Sequence, residues 1–247
     1  MSSSIGVHVS ATWLVAITAA NLLASAPAYA VQQVAGIGAA PLTLVQPAAP
    51  ARTRPDLLFR EEWRLPQHEG PPTNENRRVT PEVVTNPRVE LTVYGLDAKA
   101  VMAWEHDGRV DLWTGMAASP IAMTVRDRHN YMDLTGLARI RWIVRTESLH
   151  VIYPVVKLAD GTLLAGNRAI TTDGDFLQVE LALSGFGRIR WYLLDPERVV
   201  TTTEFRDPDL SKVDEVGFVN LAPGGGHGRA GWANLSTVEV YARPVPR

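Results

Sequence analysis

One short stretch of the chain groups several side chains that can take part in proton transfer: Arg126-Asp127-Arg128-His129-Asn130-Tyr131. Histidine titrates close to neutral pH, so it is the natural proton donor or acceptor in such a group. His129, with Arg128 and Tyr131 close by in sequence, would suit the removal of a proton beside a sugar carboxylate, the step that a polysaccharide lyase requires. Arg126 and Arg128 would orient that carboxylate through paired hydrogen bonds.

A second stretch, Glu105-His106-Asp107, places titratable groups next to a turn. Glu105 with Asp107 or Asp111 could form the carboxylate pair of a glycoside hydrolase. The competing interpretation is local, because Asp107-Gly108 is a common pair at the tip of a β-hairpin, where both residues serve the backbone geometry. The residue types alone leave both interpretations open.

Tryptophan is the third candidate for ligand contact. Trp104, Trp113 and Trp232 lie in loop-like sequence, where an exposed indole would offer a flat apolar face to the C–H side of a pyranose. Trp142 and Trp191 instead alternate with arginine beside isoleucine, which predicts burial in a core. Together these stretches predict the following substrate-binding residues: Trp104, His106, Trp113, Arg126, Arg128, His129 and Tyr131.

Arginine dominates the basic residues, since only three of the 24 are lysine. A genome rich in G and C explains such a bias, but arginine also makes planar, bidentate contacts that lysine cannot make. If two similar strands lie side by side, one sheet face carries Arg139, Arg141, Arg188 and Arg190. That row needs either carboxylate partners, for which Glu180, Glu215 and Glu239 are candidates, or an acidic ligand such as a uronate or a sulfated sugar.

A repeated turn-plus-strand pattern carries many of these residues. The run Asp133-Leu-Thr-Gly-Leu-Ala-Arg-Ile-Arg-Trp-Ile-Val-Arg145 recurs in Leu183–Leu193 and, more loosely, in Leu210–Phe218. Apolar residues at alternate positions are typical of a strand with one face in a core. About ten such short strands, separated by turn signals and without a helical period, predict an all-β fold, an antiparallel two-sheet β-sandwich or jelly roll.

The turn Asp133-Leu134-Thr135 before an alternating strand, and the run Asp209–Phe218 followed by a loop and Leu235–Tyr241, resemble the galactose-binding-like jelly rolls. That family includes several carbohydrate-binding modules. The resemblance covers roughly residues 120–242 and implies a sandwich fold and sugar binding. It assigns no binding residue by position, because sugar sites vary within the family, and it leaves residues 55–120 unexplained.

Sandwiches of the resembled type often hold a structural calcium ion. Because Ca²⁺ prefers oxygen ligands, loop carboxylates are the candidates to bind it here. They are Asp160, Asp173, Asp175, Asp207 and Asp209. We expect no other cofactor, and the absence of cysteine excludes disulfide and thiolate chemistry.

The first 30 residues look like a secretory signal peptide. An apolar run over residues 13–26 is followed by Ala28-Tyr29-Ala30, a small-x-small cleavage site. Residues 31–55 are rich in alanine and proline and predict a disordered linker, and residues 56–247 then form a single β-sandwich domain. We expect the mature protein in the periplasm or outside the cell, without stable membrane insertion after removal of the signal.

The formal net charge of −2 gives no electrostatic case for nucleic acid. We therefore expect the partner to be a carbohydrate or another small polar ligand. The leading hypothesis is an exported carbohydrate-binding β-sandwich protein. The alternatives are a carbohydrate-active enzyme, either a glycoside hydrolase or a polysaccharide lyase on the same scaffold, and a structural interaction module of the cell envelope.

Export predicts a specific mature terminus. Because cleavage is expected after Ala30, mass spectrometry of the protein isolated from its native cells should place the N-terminus near Val31. An exported protein that still carries Met1 would contradict the prediction.

Overall fold

The computed structural model describes residues 53–147, 150–184, 188–222 and 232–247. The predicted signal peptide, and the predicted linker up to residue 52, lie outside the described residues. Within those ranges, no helix combines the length and the apolar character needed to cross a membrane.

Nearly all regular structure in the described ranges is β-strand. Two single turns of 3-10 helix, Pro81–Val83 and Ala98–Ala100, are the exceptions. The strands are β1 (Leu57–Glu62), β2 (Val89–Tyr94), β3 (Met102–His106), β4 (Arg109–Trp113), β5 (Ile121–Asp127), β6 (Asn130–Asp133), β7 (Arg139–Thr146), β8 (Ile152–Leu158), β9 (Leu163–Gly166), β10 (Leu177–Leu181), β11 (Trp191–Leu194), β12 (Thr201–Phe205), β13 (Val213–Asn220), β14 (Ala233–Tyr241) and β15 (Arg243–Pro246).

The strands form two antiparallel sheets. The six-stranded sheet has the order β10-β7-β14-β4-β3, with β1 also paired to β14. The nine-stranded sheet has the order β12-β11-β9-β8-β13-β5-β2, with β6 joining β13 to β15. The prediction of an all-β, antiparallel two-sheet sandwich is confirmed.

Apolar side chains from both sheets form the core between them. Trp142 on β7 is 1% exposed and packs against Phe218 on β13, with ring centroids 6.0 Å apart. Trp191 is 3% exposed, so the prediction that both alternating tryptophans are buried is confirmed. At Gly217, next to Phe218, a Cβ atom would lie only 1.9 Å from the carbonyl oxygen of Met123, so glycine permits the close approach of β13 and β5.

The hairpin predicted around Asp107-Gly108 is present between β3 and β4. Asp107 and Gly108 have φ angles of 51° and 73°. Positive φ at both central residues is the signature of the turn that matches the twist of a two-residue hairpin. The sequence signal therefore identified both the turn and its two strands.

The two most similar repeats do not form neighbouring strands. β7 lies between β10 and β14 in the six-stranded sheet, whereas β11 lies between β9 and β12 in the nine-stranded sheet. Arg139 and Arg141 therefore share no sheet face with Arg188 and Arg190, and the predicted four-arginine row is wrong. The repeated sequence encodes the same local conformation twice, but long-range pairing separates the two copies.

An aspartate closes the turn of the first and third repeats. Asp133 Oδ1 accepts hydrogen bonds from the backbone N–H of Thr135 (2.9 Å) and from its hydroxyl (2.6 Å). Asp209 accepts the same backbone bond from the residue two positions on, also at 2.9 Å. The two turns meet directly, because the N–H of Leu134 donates to the carbonyl oxygen of Leu210 at 2.8 Å.

The burial of Trp142 predicts a large loss of stability on truncation. Trp142→Ala should lower the free energy of unfolding by about 3–5 kcal/mol, since it removes a large aromatic ring from a closed core. Chemical denaturation measures the change, and Leu96→Ala, at a side chain that is 66% exposed, is the control expected to change it by less than ~0.5 kcal/mol. Equal small effects of both substitutions would contradict the packing.

Candidate functional site

The β3–β4 hairpin presents polar and aromatic side chains on the outer face of the six-stranded sheet. Ala103 and Leu112, which pair across the hairpin, point into the core. Because side chains alternate along a strand, Trp104, His106 and Trp113 point to the opposite face. Three of the seven predicted binding residues are therefore neighbours on one surface.

The imidazole of His106 is within hydrogen-bond distance of a buried carboxylate. Its Nδ1 is 2.6 Å from Oδ2 of Asp111, which is fully buried, while the His106 side chain is 40% exposed. Oδ1 of Asp111 accepts a hydrogen bond from Nδ2 of Asn234 at 2.5 Å. An ionised carboxylate only accepts hydrogen bonds, so we assign the ring hydrogen to Nδ1, which leaves Nε2 as the acceptor of a neutral imidazole.

Burial is the main influence on Asp111. It raises the pKa of the carboxyl group above its ordinary value, and the hydrogen bonds from Asn234 and His106, together with the charge of Arg145, act in the opposite direction. These three partners favour the ionised form, but burial outweighs them, so the pKa of Asp111 stays above its ordinary value. Neither Asn234 nor Arg145 was singled out as a site residue from the sequence, because both belong to strands far from the hairpin in the chain.

Three tryptophans pack beside this pair. The rings of Trp104 and Trp113 meet edge to face at 6.1 Å between centroids, and those of Trp113 and Trp232 at 6.3 Å. Trp113 is only 3% exposed, so the expectation of an exposed indole there is wrong. The guanidinium carbon of Arg77 lies over the ring of the half-buried Trp104, 4.3 Å from the ring centroid.

A small pocket of about 150 Å³ lies among these rings, lined by Trp104, His106, Trp113, Arg145 and Trp232. A larger open cleft of about 750 Å³ adjoins it, and His106 and Arg145 line both. Ligand clefts are commonly about 300–1,000 Å³, so the larger cleft has the size for a sugar residue or two.

Phe176 is the aromatic ring of the larger cleft. It is partly exposed and lies 6.1 Å from the imidazole of His106, between ring centroids. The guanidinium carbons of Arg109 and Arg145 are 6.0 and 5.9 Å from its ring centroid. Phe176 was not among the site residues predicted from the sequence, although an aromatic residue directly after the Asp173–Asp175 turn is a signal that could have indicated it.

The two arginines of the cleft differ in their partners. Within the described residues, no carboxylate oxygen lies within 4.0 Å of the Arg109 guanidinium, and Arg145 reaches only Glu147, at 3.4 Å. The cleft is also lined by the carboxylates of Glu105, Asp107 and Asp175. It therefore offers hydrogen-bond donors and acceptors around one aromatic ring.

The other four predicted binding residues belong to the nine-stranded sheet and its β5–β6 hairpin. Arg126 makes two hydrogen bonds to Glu90, of 2.8 and 3.2 Å, and Arg128 lies 3.6 Å from the same carboxylate. The guanidinium carbon of Arg247 lies over the ring of Tyr131, 4.5 Å from the ring centroid. His129 is exposed at the hairpin.

The β5–β6 turn has a structural explanation. Asp127 is fully buried and its Oδ1 accepts hydrogen bonds from the backbone N–H groups of His129 and Asn130, at 2.8 and 2.9 Å, while Oδ2 pairs with Arg88 at 2.7 Å. The titratable groups that cluster in sequence here thus hold a hairpin together. The seven predicted residues lie on two different sheets, three on one and four on the other.

The arginines of β7 have protein partners. Arg139 and Arg141 flank the ring of Tyr241, at 4.0 and 5.1 Å, and both lie close to Glu180, at 3.4 and 2.7 Å. Glu239 is a further partner of Arg141 at 3.8 Å. The prediction of Glu180 and Glu239 as partners of this face is confirmed.

Glu215 is not a partner of these arginines. It lies in the nine-stranded sheet, where it pairs with Lys157 at 2.9 Å and accepts a hydrogen bond from Tyr94 at 2.8 Å. Burial and the adjacent carboxylate raise the pKa of Tyr94 to about 12. The carboxylate was assigned to the wrong sheet because β13 and β7 both carry alternating patterns.

The loop aspartates considered for calcium are engaged in turns or spread over separate loops. Asp160 accepts a hydrogen bond from the N–H of Thr162 at 2.9 Å, and Asp173 and Asp207 have positive φ angles. In the parts of the chain that the structure describes, no three His, Asp or Glu side chains come together in a way that could hold a metal ion. Calcium binding stays a prediction.

No protein-family model matches the chain, and no curated protein matches it either. Solved structures similar to it include PfGH50B (8% identity, TM-score 0.40) and an exo-beta-agarase (12%, 0.37). Another is the family 11 carbohydrate-binding module of the cellulase Lic26A-Cel5E of Clostridium thermocellum (10%, 0.35). The match to PfGH50B covers 64% of this chain and the match to the exo-beta-agarase covers 66%, but each covers only 23% of the other protein. The match to the binding module covers 64% of this chain and 85% of the module. The chain therefore spans less than a quarter of the length of PfGH50B and of the exo-beta-agarase. Likenesses at this level carry no conclusion about function.

The Glu90–Arg126 pair generates a prediction about pH. The hydrogen bond from Arg126 lowers the pKa of Glu90 below the ordinary value of 4.5, so the pair stabilises the protein above that pH and loses its effect as the pH falls through the lowered pKa. Arg126→Gln should lower the unfolding free energy at pH 7 by up to about 1 kcal/mol, since both side chains are about a third exposed.

Chemical denaturation of wild type and variant across this pH range tests the pair. Arg168→Gln, which alters an exposed arginine, is the control expected to show no such trend. A difference between Arg126→Gln and wild type that stays constant well below pH 4.5 would contradict the assigned interaction.

Proposed function

We propose that this protein binds carbohydrate in the open cleft on the outer face of the six-stranded sheet. The observation that carries the proposal is the position of Phe176, a partly exposed ring with His106, Arg109 and Arg145 about 6 Å from its centroid. An aromatic platform surrounded by hydrogen-bonding groups is the arrangement that a pyranose requires, because a sugar has an apolar C–H face and a polar edge.

The polar groups divide into donors and acceptors. Arg109 and Arg145 donate, and Nε2 of His106, freed by the bond between Nδ1 and Asp111, accepts. The carboxylates of Glu105 and Asp175, at the margin of the same cleft, accept as well. Sugar hydroxyls are donors and acceptors at once, so a mixed lining suits them better than a lining of one kind.

The guanidinium groups favour a sugar that carries an acid group. Arg109 has no carboxylate partner within 4.0 Å in the described ranges, whereas Arg126 and Arg128 on the other sheet both pair with Glu90. A uronate carboxylate or a sulfate could pair with Arg109 and with Arg145 through charge-assisted hydrogen bonds.

The location that fits this function is the periplasm or the cell exterior. The apolar run at residues 13–26 and the Ala28-Tyr29-Ala30 site support export, and polymeric carbohydrate is met outside the cytoplasm. The proposal assigns the folded domain to the mature, exported form.

The Phe176 platform makes the proposal testable. A glycan array with the wild-type protein selects a ligand, and isothermal titration then compares the wild type with Phe176→Ala. Loss of the stacked ring should weaken binding about tenfold, corresponding to roughly 1.4 kcal/mol. The melting temperature should hardly change, because Phe176 lies at the surface of the cleft.

Leu96→Ala is the control, since Leu96 is 66% exposed and is not among the residues that line the cleft. It should leave affinity nearly unchanged if the Phe176 ring binds the sugar. Failure of the wild type to bind any glycan would overturn carbohydrate binding and leave the structural envelope module as the better hypothesis. Unchanged affinity of Phe176→Ala would overturn the assignment of the cleft.

A further inference from the structure

We propose that the cleft also cleaves its ligand, with His106 acting as the base that removes the C5 proton of a uronate residue and Asp111 as the residue that positions it. The inference rests on the proposed binding of carbohydrate in this cleft, and it adds a reaction to it. The chemical class of the substrate is a polysaccharide with uronate residues linked through O4.

The first support is the geometry of the imidazole. Asp111 receives hydrogen bonds on both carboxylate oxygens, from His106 at 2.6 Å and from Asn234 at 2.5 Å, so the carboxylate cannot turn away from the ring. The ring is fixed with Nδ1 on the buried side, and the partly exposed His106 lines both the small pocket and the larger cleft. A base held by a third group in this way is the general arrangement of an activated proton acceptor.

The second support is that stability alone does not explain the pair. A fully buried carboxylate costs several kcal/mol in desolvation, which an exposed histidine offsets poorly. The buried carboxylates of Glu61 and Asp127 hold a loop and a hairpin through backbone N–H groups. Asp111, like Glu215 in the other sheet, bonds only to side chains, but one partner of Asp111 is a histidine that lines the cleft.

The third support is the charge beside the base. Arg145 lines the cleft next to His106, and its buried Nε has no hydrogen-bond partner among the described residues. The guanidinium carbon of Arg109 lies 6.0 Å from the centroid of the Phe176 ring in the same cleft. Either guanidinium can pair with the uronate carboxylate, and a carboxylate whose charge is neutralised makes the C5–H next to it more acidic.

The reaction balances without any other reactant. Nε2 of His106 takes the C5 proton, the electrons of the C5–H bond form a C4=C5 double bond, and the C4–O4 bond breaks. The same nitrogen then gives the proton to O4 of the departing sugar, which requires the C5 proton and O4 to lie on one face of the ring. The products are an unsaturated uronate and a sugar with a new reducing end.

The experiment incubates the mature protein with polyuronates (alginate, polygalacturonate and polyglucuronate) and with a neutral β-glucan. Ultraviolet absorbance follows the new C4=C5 double bond, and mass spectrometry distinguishes the unsaturated product, which is lighter by one water than a hydrolysis product. We expect product from polyglucuronate or from the mannuronate of alginate, in which the C5 proton and O4 lie on one face of the ring. Polygalacturonate, in which they lie on opposite faces, and the neutral glucan should give none.

Variants separate binding from reaction. His106→Gln should lower kcat by about a hundredfold or more, the usual contribution of a general base, while the Kd for the polyuronate changes only a few-fold. Asp111→Asn should lower kcat in the same direction and shift the pH profile of kcat, which a purely structural role would not do. His68→Gln, which removes an exposed histidine from a loop, is the control expected to retain full activity.

The possible failures are distinct. Polyuronate binding without unsaturated product in the wild type would overturn the reaction and leave the binding proposal intact. Full activity of His106→Gln would overturn the role of His106. Absence of binding to every polyuronate and to the glucan would overturn the proposed function itself.

Discussion

Trp142 and Phe218 provide the contact on which the rest of the structure depends. They come from central strands of opposite sheets, are almost completely buried, and lie 6.0 Å apart between ring centroids. Two sheets packed face to face are about 10 Å apart, a gap that only interdigitated large side chains can fill. Once Trp142 points inward, strand alternation sends Arg141 and Ile143 to the outer face, and the orientation of every neighbouring strand follows.

The outer faces of the two sheets differ in how many of their charged side chains are paired within the protein. On the nine-stranded sheet, Arg126 and Arg128 are paired with Glu90, and Glu215 is enclosed by Lys157 and Tyr94. On the six-stranded sheet, one end carries an ion-paired group around Tyr241, and the other carries the cleft in which Arg109 has no carboxylate within 4.0 Å among the described residues. A surface whose charges are already paired stabilises the fold, whereas one with available donors can bind a ligand.

The cleft is assembled from three distant parts of the chain. The β3–β4 hairpin provides His106 and Asp111, β7 provides Arg145, and the turn before β10 provides Phe176. β14 joins them, because it pairs with both β4 and β7 and places Asn234 opposite Trp113 and Arg145. The binding and the reaction that we propose therefore both depend on the register in which β14 pairs with β4 and β7.

Local pattern determined the strands and turns, because alternation and Asp-Gly pairs act over a few residues. The alternating run that ends at Arg145 predicted β7, and Asp107-Gly108 identified its hairpin. About ten strands were expected and the described residues contain fifteen, since short strands such as β6, β12 and β15 have patterns too brief to stand out. Only the tertiary structure decided which strands pair. It separated Arg139 from Arg188, buried Trp113, and brought Phe176 to His106, because these contacts join residues far apart in the chain and depend on packing that no local pattern encodes.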